Sequence, residues 1–197
     1  IKPSFSEPRS TNKRLNIFFW DRGGIKFKDW IKHFKEKDIN ELTYFSKPDY
    51  GRSQSYSNEL SNNNNFKINF IKDNFLSKEK FIELMTQNDV FIAPRKKEGI
   101  GMTIVEAFSR GMFIVGYNDS TMNEYINDNK LGFLFDEKSD QKIDINYILN
   151  NFEYRRRKAE QKYNDWTAEK KNILPFVLKK PNIYKKTKIN LLFLISD

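Results

Sequence analysis

Residues 90–115 read VFIAPRKKEGIGMTIVEAFSRGMFIV, and the fold follows from how this stretch divides. Residues 90–93 are a short apolar run with the β-branched and aromatic content of a buried strand, which Pro94 stops before a basic, glycine-containing turn. Residues 103–110 then read as a helix, with Gly111 where a left-handed C-terminal cap is wanted. Residues 113–115 open another apolar strand. Strand, loop, helix and strand in that order make a right-handed parallel unit, which places the chain in the α/β class.

Such a unit leaves free backbone N–H groups at residues 101–104, where they and the helix dipole, roughly half a unit charge, favour an anion such as a pyrophosphate. Gly99 and Gly101 let that backbone approach a ligand closely. Glu106 lies about one turn into the helix, and a carboxylate beside a phosphate is repelled unless it accepts hydrogen bonds from neutral hydroxyls. A ribose or a hexose supplies them. The arrangement therefore suits a nucleotide sugar, with one acid, Glu98 or Glu106, at each end of the pyrophosphate.

Glu98, seven residues and then Glu106, within EGIGMTIVEAFSRGMFIVGYND, resembles the E-x7-E signature of the retaining GT-B glycosyltransferases (glycosyl transferases group 1). The common form in that family is EGFG, a hydrophobic run, EA, a small-residue turn and a valine-rich strand. The similarity extends back through residues 76–94 and forward to LGFLFD at 131–136. It implies a Rossmann-like doubly wound parallel sheet that is the carboxy-terminal, donor-binding half of a GT-B fold. By that resemblance Glu98 would hold hydroxyls of the transferred sugar and Glu106 the ribose diol. Gly101, Met102 and Thr103 would offer backbone N–H groups to sugar and phosphate.

The resemblance also directs attention to the first strand. Residues 14–20, RLNIFFW, read as that strand, and DRGGIK follows. In the family this strand ends in an arginine, with a lysine five residues later, and both reach the donor pyrophosphate. Arg22 matches the arginine; Lys26 and Lys28 fall four and six residues on, so Lys26 stands for the lysine out of register. These cations would neutralise the departing diphosphate, the charge that grows in the transition state. Arg95 stands where the family commonly has serine, an extra cation that would favour an acidic donor or acceptor. Ser120 and Thr121 replace a turn that usually carries two glycines.

The rest of the chain supplies context. Phe27, Trp30, Ile31 and Phe34 recur at helical spacing, residues 41–45 and 66–71 read as strands, and residues 76–86 as a helix opened by Ser77. The polar stretch 46–65 reads as a loop with a short helix near 56–60, and by family analogy residues 72–75 form part of the base pocket. The lone His33, beside lysines, reads as a surface residue, and the basic run 155–158 as a solvated helix face on a helix whose other face carries Phe152, Ala159, Tyr163 and Trp166. Residues 1–13 read as a linker, 14–178 as the nucleotide-sugar-binding domain, and 179–197 as a linker with KINLLFLISD resembling the opening strand of a following GT-B domain. A start at Ile1 and an end within an apolar stretch imply a piece of a larger product.

With 197 residues, 38% of them hydrophobic, one well-packed domain is expected. The absence of cysteine removes disulfides and thiolate metal sites, and no apolar run approaches the eighteen or so residues of a membrane span. The net charge of +9 accompanies a Lys-, Asn-, Ile- and Phe-rich composition, without the module or interleaved aromatics that nucleic-acid binding requires. No metal is implied, since no D-x-D motif occurs. The resemblance implies a UDP- or GDP-sugar donor, an amino-terminal acceptor domain missing from this stretch, and a saccharide or lipid-linked acceptor. Cell-surface polysaccharide synthesis in the cytoplasm, with peripheral contact at the inner face of the membrane, is the setting that family frequency suggests. A noncatalytic nucleotide-sugar binding module, a GT-B sugar-nucleotide epimerase or phosphorylase, and a basic membrane-surface or nucleic-acid adaptor are the alternatives.

Overall fold

The computed structural model describes residues 13–51, 65–71, 76–99 and 101–178. The expected helix near 56–60, the base-pocket loop 72–75, the linker 1–12 and the segment 179–197 lie outside these. Two compact units divide the chain, Ile1–Tyr163 and Asn164–Asp197.

In the first unit the chain runs β1 (Leu15–Asp21), α1 (Phe27–Ile31), a single 3-10 turn, β2 (Ile39–Ser46), β3 (Lys67–Ile71), α2 (Lys78–Thr86), β4 (Val90–Ile92), α3 (Met102–Ser109), β5 (Phe113–Tyr117), α4 (Ser120–Tyr125), β6 (Gly132–Phe135), α5 (Ile145–Asn150) and the start of α6 (Phe152–Leu178). The six strands form one sheet in the order β3-β2-β1-β4-β5-β6, every pairing parallel. This is the α/β doubly wound, Rossmann-like arrangement that the sequence implies, and each strand lies within one or two residues of its expected place. Strand order reverses between β1 and β4, so their carboxyl ends border the crevice where such sheets take ligands.

Burial on both faces explains the near-continuous apolar strands. Alternate residues Ile17, Phe19, Leu42, Tyr44, Val90, Ile92 and Val115 join Trp30 of α1 and Ile148 of α5 on one side. Their neighbours Phe18, Phe45, Phe91 and Ile114 meet Met85, Ile104, Ala107 and Met122 on the other. Trp30 is fully buried, edge-on to Phe19, Phe27 and Phe34. Burial of one such ring is worth about 1.5–3 kcal/mol.

The helix ends obey local chemistry. Ser77 caps α2, its Oγ accepting the Lys80 N–H at 3.2 Å. After α3, Gly111 takes φ +70°, its N–H donates to the Phe108 carbonyl and that of Met112 to the Ala107 carbonyl. Two such bonds make a Schellman cap, as the sequence anticipates. A Cβ at Gly111 would stand 2.9 Å from Arg156 Cγ.

Two expectations are overturned. His33 is no surface residue: it is fully buried, its ring 5.0 Å from those of Phe133 and Phe135 and its Nδ1 2.7 Å from the Gln141 carbonyl oxygen. Burial holds its pKa below the ordinary histidine value, against the raising effect of the Gln141 bond. The basic run 155–158 is not uniformly solvated either. Arg155 is 1% exposed and donates from Nε to the Gly111 carbonyl (2.8 Å), from Nη2 to that of Ile148 (2.8 Å) and from Nη1 to that of Lys130 (3.4 Å). A buried guanidinium is tolerable there because carbonyls converge on it from three places.

In the second unit the described residues, 164–178, continue α6. Trp166, Ile173, Val177 and Leu178 are exposed there. Among the described residues no helix is long and apolar enough to cross a membrane.

Candidate functional site

The exit of β1 is fixed by a buried carboxylate. Asp21, fully buried, accepts the Gly23 N–H on Oδ1 at 2.8 Å and the Tyr44 hydroxyl on Oδ2 at 2.5 Å. Gly23 adopts φ 72°, a left-handed turn that costs glycine little. The turn presents Arg22, whose guanidinium lies 4.7 Å from the Trp20 ring centroid.

Arg22 does not stand alone. Its Nε donates to Asp49 Oδ1 at 2.8 Å, and its Nη2 lies 2.5 Å from the same oxygen. Arg95, from the loop after β4, donates Nε to Asp49 Oδ2 at 2.8 Å and Nη2 to Oδ1 at 2.9 Å. Its remaining nitrogen, Nη1, donates to Glu98 Oε1 at 2.9 Å. Every nitrogen of Arg95 is thus engaged within the protein, so its charge is consumed internally. The Arg95 hydrogen bonds, with those of Arg22 adding to them, hold the Asp49 carboxyl down at about 2, although burial opposes this.

The second predicted acid sits one helix further. α3 starts at Met102 with Gly101 as its N-cap residue, and a Cβ on Gly101 would lie 2.6 Å from Ile104 Cδ1 and 3.2 Å from Glu98 Cγ. A side chain at this position would therefore crowd Ile104 and press on Glu98, which would have to shift by a few tenths of an ångström. Around Gly99, by contrast, nothing lies within 4 Å of an added Cβ. Met102 is exposed, whereas Thr103 is half-buried. Glu106 Oε1 meets Arg110 Nη1 at 2.7 Å, with side-chain exposures of 14% and 5%. Arg110 also donates to the Glu106 carbonyl and to Ser109 Oγ, leaving Glu106 Oε2 with no partner among the described residues.

The fold thus joins Arg22 and Glu98 in one ionic chain and sets Gly101, Met102, Thr103 and Glu106 along the α3 start. Lys26 is not drawn in. It occupies the N-cap position of α1, its N–H bonded to Asp29 Oδ2 at 3.0 Å and its side chain exposed. Beside Thr103 an open cavity of about 460 Å³ is walled by Trp20, Phe45, Leu76 and Phe81, with Lys47 and Lys78 at its rim. Sequence reasoning missed Asp49 and Arg110. The four-residue spacing of Glu106 and Arg110 was a usable signal, but nothing local marks Asp49.

Residues 49–165 match the family Glycosyl transferases group 1. The chain belongs to that family. No curated protein matches the sequence. Among solved structures, TarM superposes with a TM-score of 0.56 at 13% identity, covering 89% of this chain and 37% of that one. The GtfA/B complex gives 0.57 at 15% identity, covering 89% and 38%. This glycosyl transferases group 1 chain therefore spans less than two-fifths of those two chains, and at such identity the likeness is one of fold. It is the fold expected of one GT-B half.

Proposed function

We propose that this chain is the donor-binding half of a retaining glycosyltransferase, which moves a sugar from a UDP- or GDP-sugar to a saccharide or lipid-linked acceptor held by an amino-terminal domain. The observation that carries the reading is the linking of Arg22 to Glu98, through Asp49 and Arg95, across the β1–β4 switch point, beside a helix start whose N–H groups suit an anion. A diphosphate between these groups would meet the α3 N–H groups and Arg22 Nη1, which has no partner among the described residues. Positive charge there stabilises the leaving diphosphate more than the intact donor, which is the condition for catalysis. Glu98 Oε2 and Glu106 Oε2 are the acceptor atoms left for sugar and ribose hydroxyls. The aromatic cavity beside Thr103 would receive the nucleoside. The reading calls for no metal, and Lys26 would reach the diphosphate along its flexible stem. Cell-surface polysaccharide synthesis at the inner membrane face is the setting proposed for it.

Calorimetric titration with UDP, GDP, UDP-glucose and GDP-mannose tests the donor site. Binding that prefers one base and weakens in Glu106→Ala is expected; equal binding by wild type and variant would overturn the assignment. In a longer chain with the acceptor domain, Glu98→Gln should abolish transfer, whereas a noncatalytic binding module would have no transfer to lose. The chain by itself should bind donor and transfer nothing.

A further inference from the structure

We propose that Asp49 and Arg95 form a positioning relay that ties Arg22, at the end of β1, to Glu98, after β4, so that the diphosphate and sugar ends of the donor site are set together. The inference rests on the donor reading above, but its structural half does not depend on a ligand.

The loop carrying Asp49 is pinned to the β1 exit by backbone bonds from Lys47 N–H to the Asp21 carbonyl (2.9 Å) and from Asp49 N–H to the Arg22 carbonyl (3.2 Å). From that anchor one carboxylate serves two guanidiniums, and Arg95 grips it with two parallel bonds, a geometry that fixes direction as well as distance. The third nitrogen of Arg95 then fixes Glu98 Oε1, and the absence of a side chain on Gly101 leaves room beside Glu98 Cγ. The side chains of Arg22, Asp49, Arg95 and Glu98 are 26%, 21%, 27% and 10% exposed. Water screens such pairs less than pairs on an open surface. Only the two ends of the chain, Arg22 Nη1 and Glu98 Oε2, keep atoms without partners among the described residues. Asp49 and Arg95 are therefore positioning residues, and the substrate is met by the groups they hold.

Two measurements test the relay. In isotope-labelled protein without ligand, the Arg22 Nε–H resonance should shift on Glu98→Gln, because the perturbation passes through Arg95 and Asp49, and should stay in place on Glu106→Gln. An Arg22 resonance indifferent to Glu98→Gln would overturn the relay whatever the titrations show. In the titrations, the excess affinity of UDP-glucose over UDP, or of GDP-mannose over GDP, should fall about tenfold in both Asp49→Asn and Arg95→Gln. The double variant should lose no more than either single one, since both break the same connection. Additive losses would overturn the relay while leaving the donor reading intact. If wild type binds none of the four nucleotides yet Arg22 responds to Glu98→Gln, the donor reading fails and the relay stands as a structural coupling. A purely architectural role for Asp49 predicts equal weakening toward UDP and UDP-glucose and an unchanged ratio, which would also overturn the proposal.

Discussion

Arg155 and Arg22 are both arginines of the first unit, yet they sit in opposite chemical surroundings. Arg155, 1% exposed, reaches backbone carbonyls of Gly111, Lys130 and Ile148, groups just ahead of β5 and β6 and at the end of α5. Arg22 lies at the exit of β1, about a quarter exposed, against the side-chain carboxylate of Asp49. Carbonyls of a folded backbone cannot leave, so an arginine that satisfies them is part of the architecture. A carboxylate partner can be matched by a phosphate, because both offer the guanidinium paired anionic oxygens. One position joins elements of the fold; the other leaves a cation available to a ligand.

This contrast is sharpest under substitution. Arg155→Met should remove on the order of 3–5 kcal/mol of stability in urea unfolding, since it orphans buried carbonyls, and a loss under about 1 kcal/mol would break the distinction. Arg22→Gln should leave stability within about 1 kcal/mol of wild type, as for other partly exposed pairs. It should nonetheless weaken UDP or GDP binding roughly tenfold to a hundredfold, the worth of a charge-assisted bond. Gly111→Ala probes the architectural side again. Forced to φ +70° and against Arg156, it should cost about 1–2 kcal/mol, readable as a lowered urea midpoint.

The smallest effect concerns acid. Asp49 has its carboxyl held at about 2 rather than 3.8, so its stabilisation is fully present above the higher value. It is lost as pH falls toward the lower one, where the native carboxylate also takes up a proton. Wild type should therefore lose more stability than Asp49→Asn between about pH 5 and about pH 2, the window that carboxyl values of 3.8 and about 2 define. Equal losses would show that the carboxyl-edge cluster carries no linked stability.

The central unit was legible because its signals are local. A cap, a glycine after the last turn and an apolar run each act within a few residues, so the order β4, α3, β5 and the Schellman glycine could be read directly. The same holds for the placement of Glu98, Gly101 and Glu106 around one helix start. Arg95 was visible as an extra cation, but its ion pair with Asp49 was not. The carboxylate that engages it comes from 46 residues away.

What the sequence determined on its own was a parallel α/β sheet with an anion-suited helix start, because backbone geometry and hydrophobic period are properties of short stretches. What only the tertiary structure decided was the fate of individual charges. His33 looked solvated until Gln141, 108 residues on, met its ring nitrogen, and Arg155 until Gly111, 44 residues back, met its Nε. A charged or titratable side chain takes its energy from the groups that surround it, and those groups are chosen by where distant chain passes, not by neighbours in sequence.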